Sequence, residues 1–101
     1  MNSLYLEGTV LRCTGEFFDP LNGDIPLDPT APRFSVRPPS GTIVTYTYPA
    51  DAALVRDAVG VYHFDLALTS PGVWRYAFWS PGPTGQGREE VTITVEPALV
   101  Q

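Results

Sequence analysis

The chain has 101 residues, 44% of them hydrophobic, and a net charge of −5. That length makes one domain able to bury a core of its own, and twelve aromatic residues supply that core in spite of eleven prolines. The charge excludes nucleic acid as a partner: the six cationic residues, Arg12, Arg33, Arg37, Arg56, Arg75 and Arg88, are scattered singly and form no basic stripe along the sequence.

Cys13 is the only cysteine, so no intrachain disulfide forms. The opening residues, Met1 to Gly8, show neither a basic nor an apolar signal region, which predicts no signal peptide. No apolar run approaches the roughly 20 residues that span a bilayer. The expectation is a protein made in the cytoplasm with no membrane partner.

The first strand is predicted over Ser3 to Phe18. Leu4 and Leu6 share one parity; Leu11, Cys13 and Phe17 share the other. A parity change near Gly8-Thr9 predicts a bulge or a strand that switches sheets. Asp19 to Pro32, with four prolines, is turn-rich, and Asn22-Gly23 is its expected tight turn. A hairpin follows. Phe34 and Val36 alternate with Arg33, Ser35 and Arg37, a turn occupies Pro38 to Gly41, and Ile43 to Tyr48 returns. Val36 then faces Val44, Phe34 faces Tyr46, and Ser35 faces Thr45. Asp51 is placed to cap one helical turn before Leu54, with Val55-Arg56 as a short edge strand.

The segment from Gly60 to Trp79 carries apolar residues at every second position on both sides of Thr69-Ser70-Pro71. It reads as the central β-hairpin. Leu66 faces Trp74, Phe64 faces Tyr76 and Tyr62 faces Phe78 on one face; Asp65 faces Arg75, His63 faces Ala77 and Val61 faces Trp79 on the other. Ser80 to Gly87 reads as a mobile loop. The last strand turns Val91, Ile93 and Val95 inward, and residues 97–101 form an apolar tail that includes Leu99 and Val100.

About seven short antiparallel strands with turn signals every eight to twelve residues describe an all-β, immunoglobulin-like sandwich spanning residues 1–101. Asp57, Gly60 and Tyr62 have nearly the spacing of a tyrosine corner. The pieces Phe18-Asp19-Pro20, Pro26-Leu27-Asp28-Pro29-Thr30, Val36-Arg37-Pro38-Pro39-Ser40-Gly41, Gly60-Val61-Tyr62-His63 and Pro71-Gly72-Val73-Trp74-Arg75-Tyr76 occur in that order. In this the chain resembles small stand-alone immunoglobulin-like proteins encoded among the head, neck and tail genes of tailed phages and prophages. The resemblance implies a non-enzymatic virion protein of the capsid, neck or tail, whose partners are other virion structural proteins in multiple copies. It brings no site residues with it.

Chemistry-bearing residues are few. His63, the only histidine, reads as a plain surface residue, and Cys13 as a small core residue on a strand not adjacent to it. No nucleophile–base pair is therefore expected, nor a zinc site, which needs several such ligands. Asp19, Asn22, Asp24 and Asp28 have oxygens suited to Ca²⁺, but Asp, Asn and Gly are equally turn formers, and no metal or cofactor is expected. Trp79, beside Val61, is either a docking anchor or covered by the loop that follows it. Leu4, Tyr5, Leu99 and Val100 are the other partner-contact candidates. The alternative function is a carbohydrate- or cell-surface-binding module, with a host-surface glycan stacking on Trp79 and exposed tyrosines.

Overall fold

Among the described residues the period-two alternation is realised as ten β-strands: β1 (Ser3–Leu6), β2 (Val10–Glu16), β3 (Phe18–Asp19), β4 (Asn22–Pro26), β5 (Arg33–Arg37), β6 (Val44–Thr47), β7 (Leu54–Ala58), β8 (Val61–Ala67), β9 (Gly72–Trp79) and β10 (Glu89–Glu96). The structure, a computed structural model, describes residues 3–19, 21–81 and 89–97. A five-stranded sheet in the order β1-β10-β9-β5-β6 faces a three-stranded sheet in the order β2-β8-β7, with β3 and β4 pairing as a small ribbon. The protein is an all-β sandwich. Its pairs are antiparallel except β1 with β10, which run parallel.

The expected sheet switch at Gly8 occurs. Gly8 has φ +94°, donates its N–H to Leu68 O at 2.8 Å, and carries the chain from β1 in one sheet to β2 in the other. The β5–β6 hairpin has the expected register, Phe34 against Tyr46, Ser35 against Thr45 and Val36 against Val44. Ser35 Oγ and Thr45 Oγ1 are 2.9 Å apart. Ile93 and Val95 point into the core, with Val91 packed at its rim.

The central hairpin does not form. β8 pairs with β2 and β7, while β9 pairs with β10 and β5, so the two strands lie in different sheets. Tyr62, Phe64, Leu66, Trp74, Tyr76 and Phe78 do share one space, but from opposite sides of it. Leu68 explains the crossing. Its side chain is fully buried, its N–H donates to Thr9 O at 2.9 Å, and its carbonyl accepts from Gly8. Closing a tight turn there would expel Leu68 from the core, at about 1.5–3 kcal/mol for a side chain of that size. The charge pair changes accordingly: Asp65 accepts two bonds from Arg12, at 2.8 and 3.0 Å, across the β2–β8 ladder, and Arg75 lies on the other sheet.

Three local readings also change. Asn22-Gly23 starts β4 rather than a turn; the turn precedes it, closed by the Leu21 N–H donating to Asp19 Oδ1 at 2.9 Å. Asp51 caps no helix, and its carboxylate reaches back to the Thr47 N–H at 2.8 Å. Ser80, assigned to a mobile loop, is buried and donates its hydroxyl to Thr30 O at 2.6 Å. Most of that loop, 82–87, lies outside the described residues.

The core makes stability fall at alkaline pH. Burial pushes the Cys13 thiol from 9.0 up to about 12 and, with Asp28, moves the Tyr62 phenol from 10.0 to about 12. Burial and the neighbouring Cys13 move Tyr76 equally far. All three are neutral acids whose folded pKa is raised. Their stabilisation is complete below the unfolded values and is lost as pH rises through about 9 toward 12, because only the unfolded chain then releases protons. The melting temperature is expected to fall steadily between about pH 8.5 and pH 11; a flat profile over that window contradicts it.

Candidate interaction surfaces

The partner-contact candidates divide between three places. Leu4 and Tyr5 sit on β1, the edge strand of the five-stranded sheet, paired on one side only. Alternation turns Tyr5 toward the core and leaves Leu4 and Leu6 outward, 66% and 58% exposed. Leu99 and Val100 lie outside the described residues. Val61 and Trp79, expected side by side, are separated: Val61 pairs with Glu16 and Ala58 in the three-stranded sheet, and Trp79 pairs with Arg33 in the five-stranded one.

Trp79 is half-buried. Its Nε1–H donates to Ser35 Oγ at 2.8 Å, and the Arg33 guanidinium stands 5.1 Å from its ring centre. Both contacts come from β5, the neighbouring strand. Together they hold the indole against the outer face of the sheet, with a cation–π contribution of about 0.5–1 kcal/mol.

That outer face has a regular layout, set by cross-strand register. Arg37 is directly opposite Arg75, and Ser35 opposite Ala77. Arg75 is opposite Thr92, Ala77 opposite Glu90, and Thr45 continues the Ser35 row onto β6. A shallow groove of about 460 Å³ runs over the small residues Ser35 and Ala77, flanked by Arg37, Arg75, Ile43 and Trp79, with the carboxylate of Glu90 at its β10 side. The arginines called scattered in the sequence are therefore sorted in space. Arg12 and Arg56 form ion pairs, with Asp65 and Asp28. Arg33, Arg37 and Arg75 gather on one face with no ion pair among the described residues. Their shared parity with Ser35 and Ala77 is visible in the sequence; the adjacency of β5 and β9 that joins them is not.

At one end of the sandwich Asp28 organises a polar knot. Its carboxylate accepts from Arg56 Nε and Nη2 at 3.0–3.2 Å, from the Gly60 N–H at 2.8 Å and from the buried Tyr62 hydroxyl at 3.0 Å. Arg56 above all, with the Gly60 N–H and Tyr62, holds the carboxyl down at about 2, against the opposing effect of burial. The expected tyrosine corner is thus replaced by a side-chain bond to a residue 34 positions away. Asp28, a candidate calcium ligand, has its oxygens committed to this knot, and no group of three or more His, Cys, Asp or Glu side chains converges among the described residues.

His63 is not a plain surface residue. It is buried, and its Nδ1–H points at both carboxylate oxygens of Asp57, at 2.7 and 2.8 Å. Its strand is also adjacent to that of Cys13, contrary to expectation: Thr14 is opposite His63, and Cys13 opposite Phe64. The two side chains still take opposite faces, because one step along a strand inverts direction. Cys13 is fully buried in the core, and His63 is on the outward side.

Comparison with family models and with curated proteins gives no match.

Proposed function

We propose that the protein is a non-enzymatic structural or accessory module of a tailed-phage virion, attached to repeating subunits of the capsid, neck or tail. One observation carries the reading. β1 is an edge strand whose outward side chains, Leu4 and Leu6, are large, apolar and exposed, where a solvent-facing edge ordinarily carries charge or proline. An exposed apolar edge suits addition to a neighbour's sheet or packing on a lattice. The strand order, with a β1-β10-β9-β5-β6 sheet over a β2-β8-β7 sheet, supports reading the sandwich as immunoglobulin-like, in keeping with the resemblance in the sequence. The residue inventory supports a passive role: Cys13 is enclosed, and His63 is tied to Asp57.

The glycan-binding alternative has less support. Among the described residues no tyrosine is exposed; Tyr5, Tyr46, Tyr48 and Tyr76 pack against the core and Tyr62 lies within it. That leaves few rings free to stack on a sugar.

The test is incorporation into particles. The wild-type protein is expected at fixed stoichiometry in purified virions. Leu4→Glu/Leu6→Glu, which places charge on the exposed side of β1, is expected to be lost from them while keeping a melting temperature within a few degrees of wild type. Absence of the wild-type protein from particles, or full incorporation of the double variant, contradicts the proposal.

A further inference from the structure

We propose that the outer face of the five-stranded sheet takes an acidic, extended segment of a protein partner, with carboxylate side chains held by Arg37 and Arg75 and the segment's main chain lying in the groove over Ser35 and Ala77. This deepens the reading of the domain as a docking module and rests on it.

The charge arrangement points to the occupant. Arg37 and Arg75 are direct cross-strand neighbours, both exposed, and like charges in that relation destabilise a sheet. Neither has an ion-pair partner among the described residues, whereas Arg12 and Arg56 have one each. Glu90 and Glu96 of β10 share this outer face, so its three arginines leave the face at +1 and the rest of the chain at −6 (−5 − 1). The face thus has the opposite sign to the molecule around it, with Arg37 and Arg75 as its positive centre. An acidic partner is repelled elsewhere and directed there, which is how charge complementarity sets orientation and register.

The shape and chemistry agree. Arginine's planar fork matches a carboxylate with two parallel N–H···O bonds, and two forks on neighbouring strands can hold one or two carboxylates. Ser35 and Ala77 make a low floor between the arginine row and Trp79, so a backbone can approach, and Ile43 and Trp79 offer apolar contact at the flanks. Arg33 is not available in the same way: it is held over the Trp79 ring.

The probe is a short oligoglutamate peptide, titrated at low ionic strength into the full chain and followed by the ¹⁵N–¹H signals of the Trp79 indole and the arginine Nε groups. Saturable shifts are expected at Trp79, Arg37 and Arg75, weakening as salt is added. Arg37→Gln/Arg75→Gln is expected to bind roughly tenfold more weakly or worse, the loss of charge-assisted hydrogen bonds, while Arg12→Gln binds as wild type does. Equal binding of oligoglutamine of the same length, or an unchanged affinity in the double variant, overturns the proposal. So does self-association of the protein that disappears in the double variant, which assigns the face to a second copy. Undiminished incorporation of Arg37→Gln/Arg75→Gln into particles removes the acidic partner and leaves the module reading standing. Absence of the wild type from particles removes the module reading, and the peptide titration then decides the face by itself.

Discussion

Phe34→Ala is expected to cost about 3–5 kcal/mol of stability, a large share of the 5–15 kcal/mol typical of a domain. Phe34 is fully buried on β5, the strand between β9 and β6. Its ring stacks on Phe64 at 4.5 Å and 17°, and it meets Phe78 at 4.9 Å, Tyr76 at 5.6 Å and Tyr46 at 6.4 Å. Phe64 belongs to the three-stranded sheet and the other three rings to the five-stranded one, so this single side chain joins the two layers. Truncation removes the transfer energy of a whole ring and leaves a void that the paired strands cannot close. Urea denaturation should show a large fall in midpoint with little change in slope, and Phe34→Leu should lose distinctly less. A cost below about 1 kcal/mol for the alanine variant contradicts the central role given to this ring.

Gly60→Ala is expected to cost about 3 kcal/mol or more, and for a different reason. Gly60 has φ +72°, a conformation worth about 1–2 kcal/mol against any residue with a Cβ. A Cβ there would also stand 2.5 Å from Phe17 O and 3.0 Å from the N and O of Leu27. All three are backbone atoms, and Phe17 O and Leu27 N belong to a hydrogen-bonded network: the Phe17 N–H donates to Gly60 O at 2.7 Å, Leu27 N–H to Phe17 O at 3.0 Å, and Gly60 N–H to Asp28 at 2.8 Å. Relief of the clash therefore breaks bonds that tie the β3–β4 ribbon to the sandwich. Gly41→Ala is the comparison. Its φ is +91°, but a Cβ meets nothing within 4 Å, so it should cost only the conformational part. Thermal melts of the two variants separate strain from collision. Equal losses contradict the assignment.

The fold was legible in the sequence as far as faces go. Alternation put Phe34, Val36, Tyr62, Phe64, Leu66, Trp74, Tyr76, Phe78, Ile93 and Val95 on inward sides, and each is there. The parity change at Gly8 marked a sheet switch, and the short Pro38–Gly41 turn set the β5–β6 register. The proposed interaction surface was legible only in part. Leu4, Tyr5 and Trp79 stand on the sheet that carries the groove, but Val61 does not, and the arginine cluster was missed. The outward strand position of His63 reads as surface in the sequence; its bond to Asp57, on the adjacent β7 edge, is set by strand pairing that the sequence does not display.

By itself the sequence determined the side on which each residue lies, since a period of two is a property of the extended backbone alone. Which strand lies beside which was decided by the tertiary structure. An inward-facing pair has the same parity whether it sits on adjacent strands or across the interior, so Leu66 with Trp74 satisfied a hairpin and a sandwich equally well. Burial of Leu68 and its backbone bonds to Gly8 and Thr9 chose the sandwich. That choice sent Asp65 to Arg12 and left Arg75 beside Arg37, a residue 38 positions away in the chain.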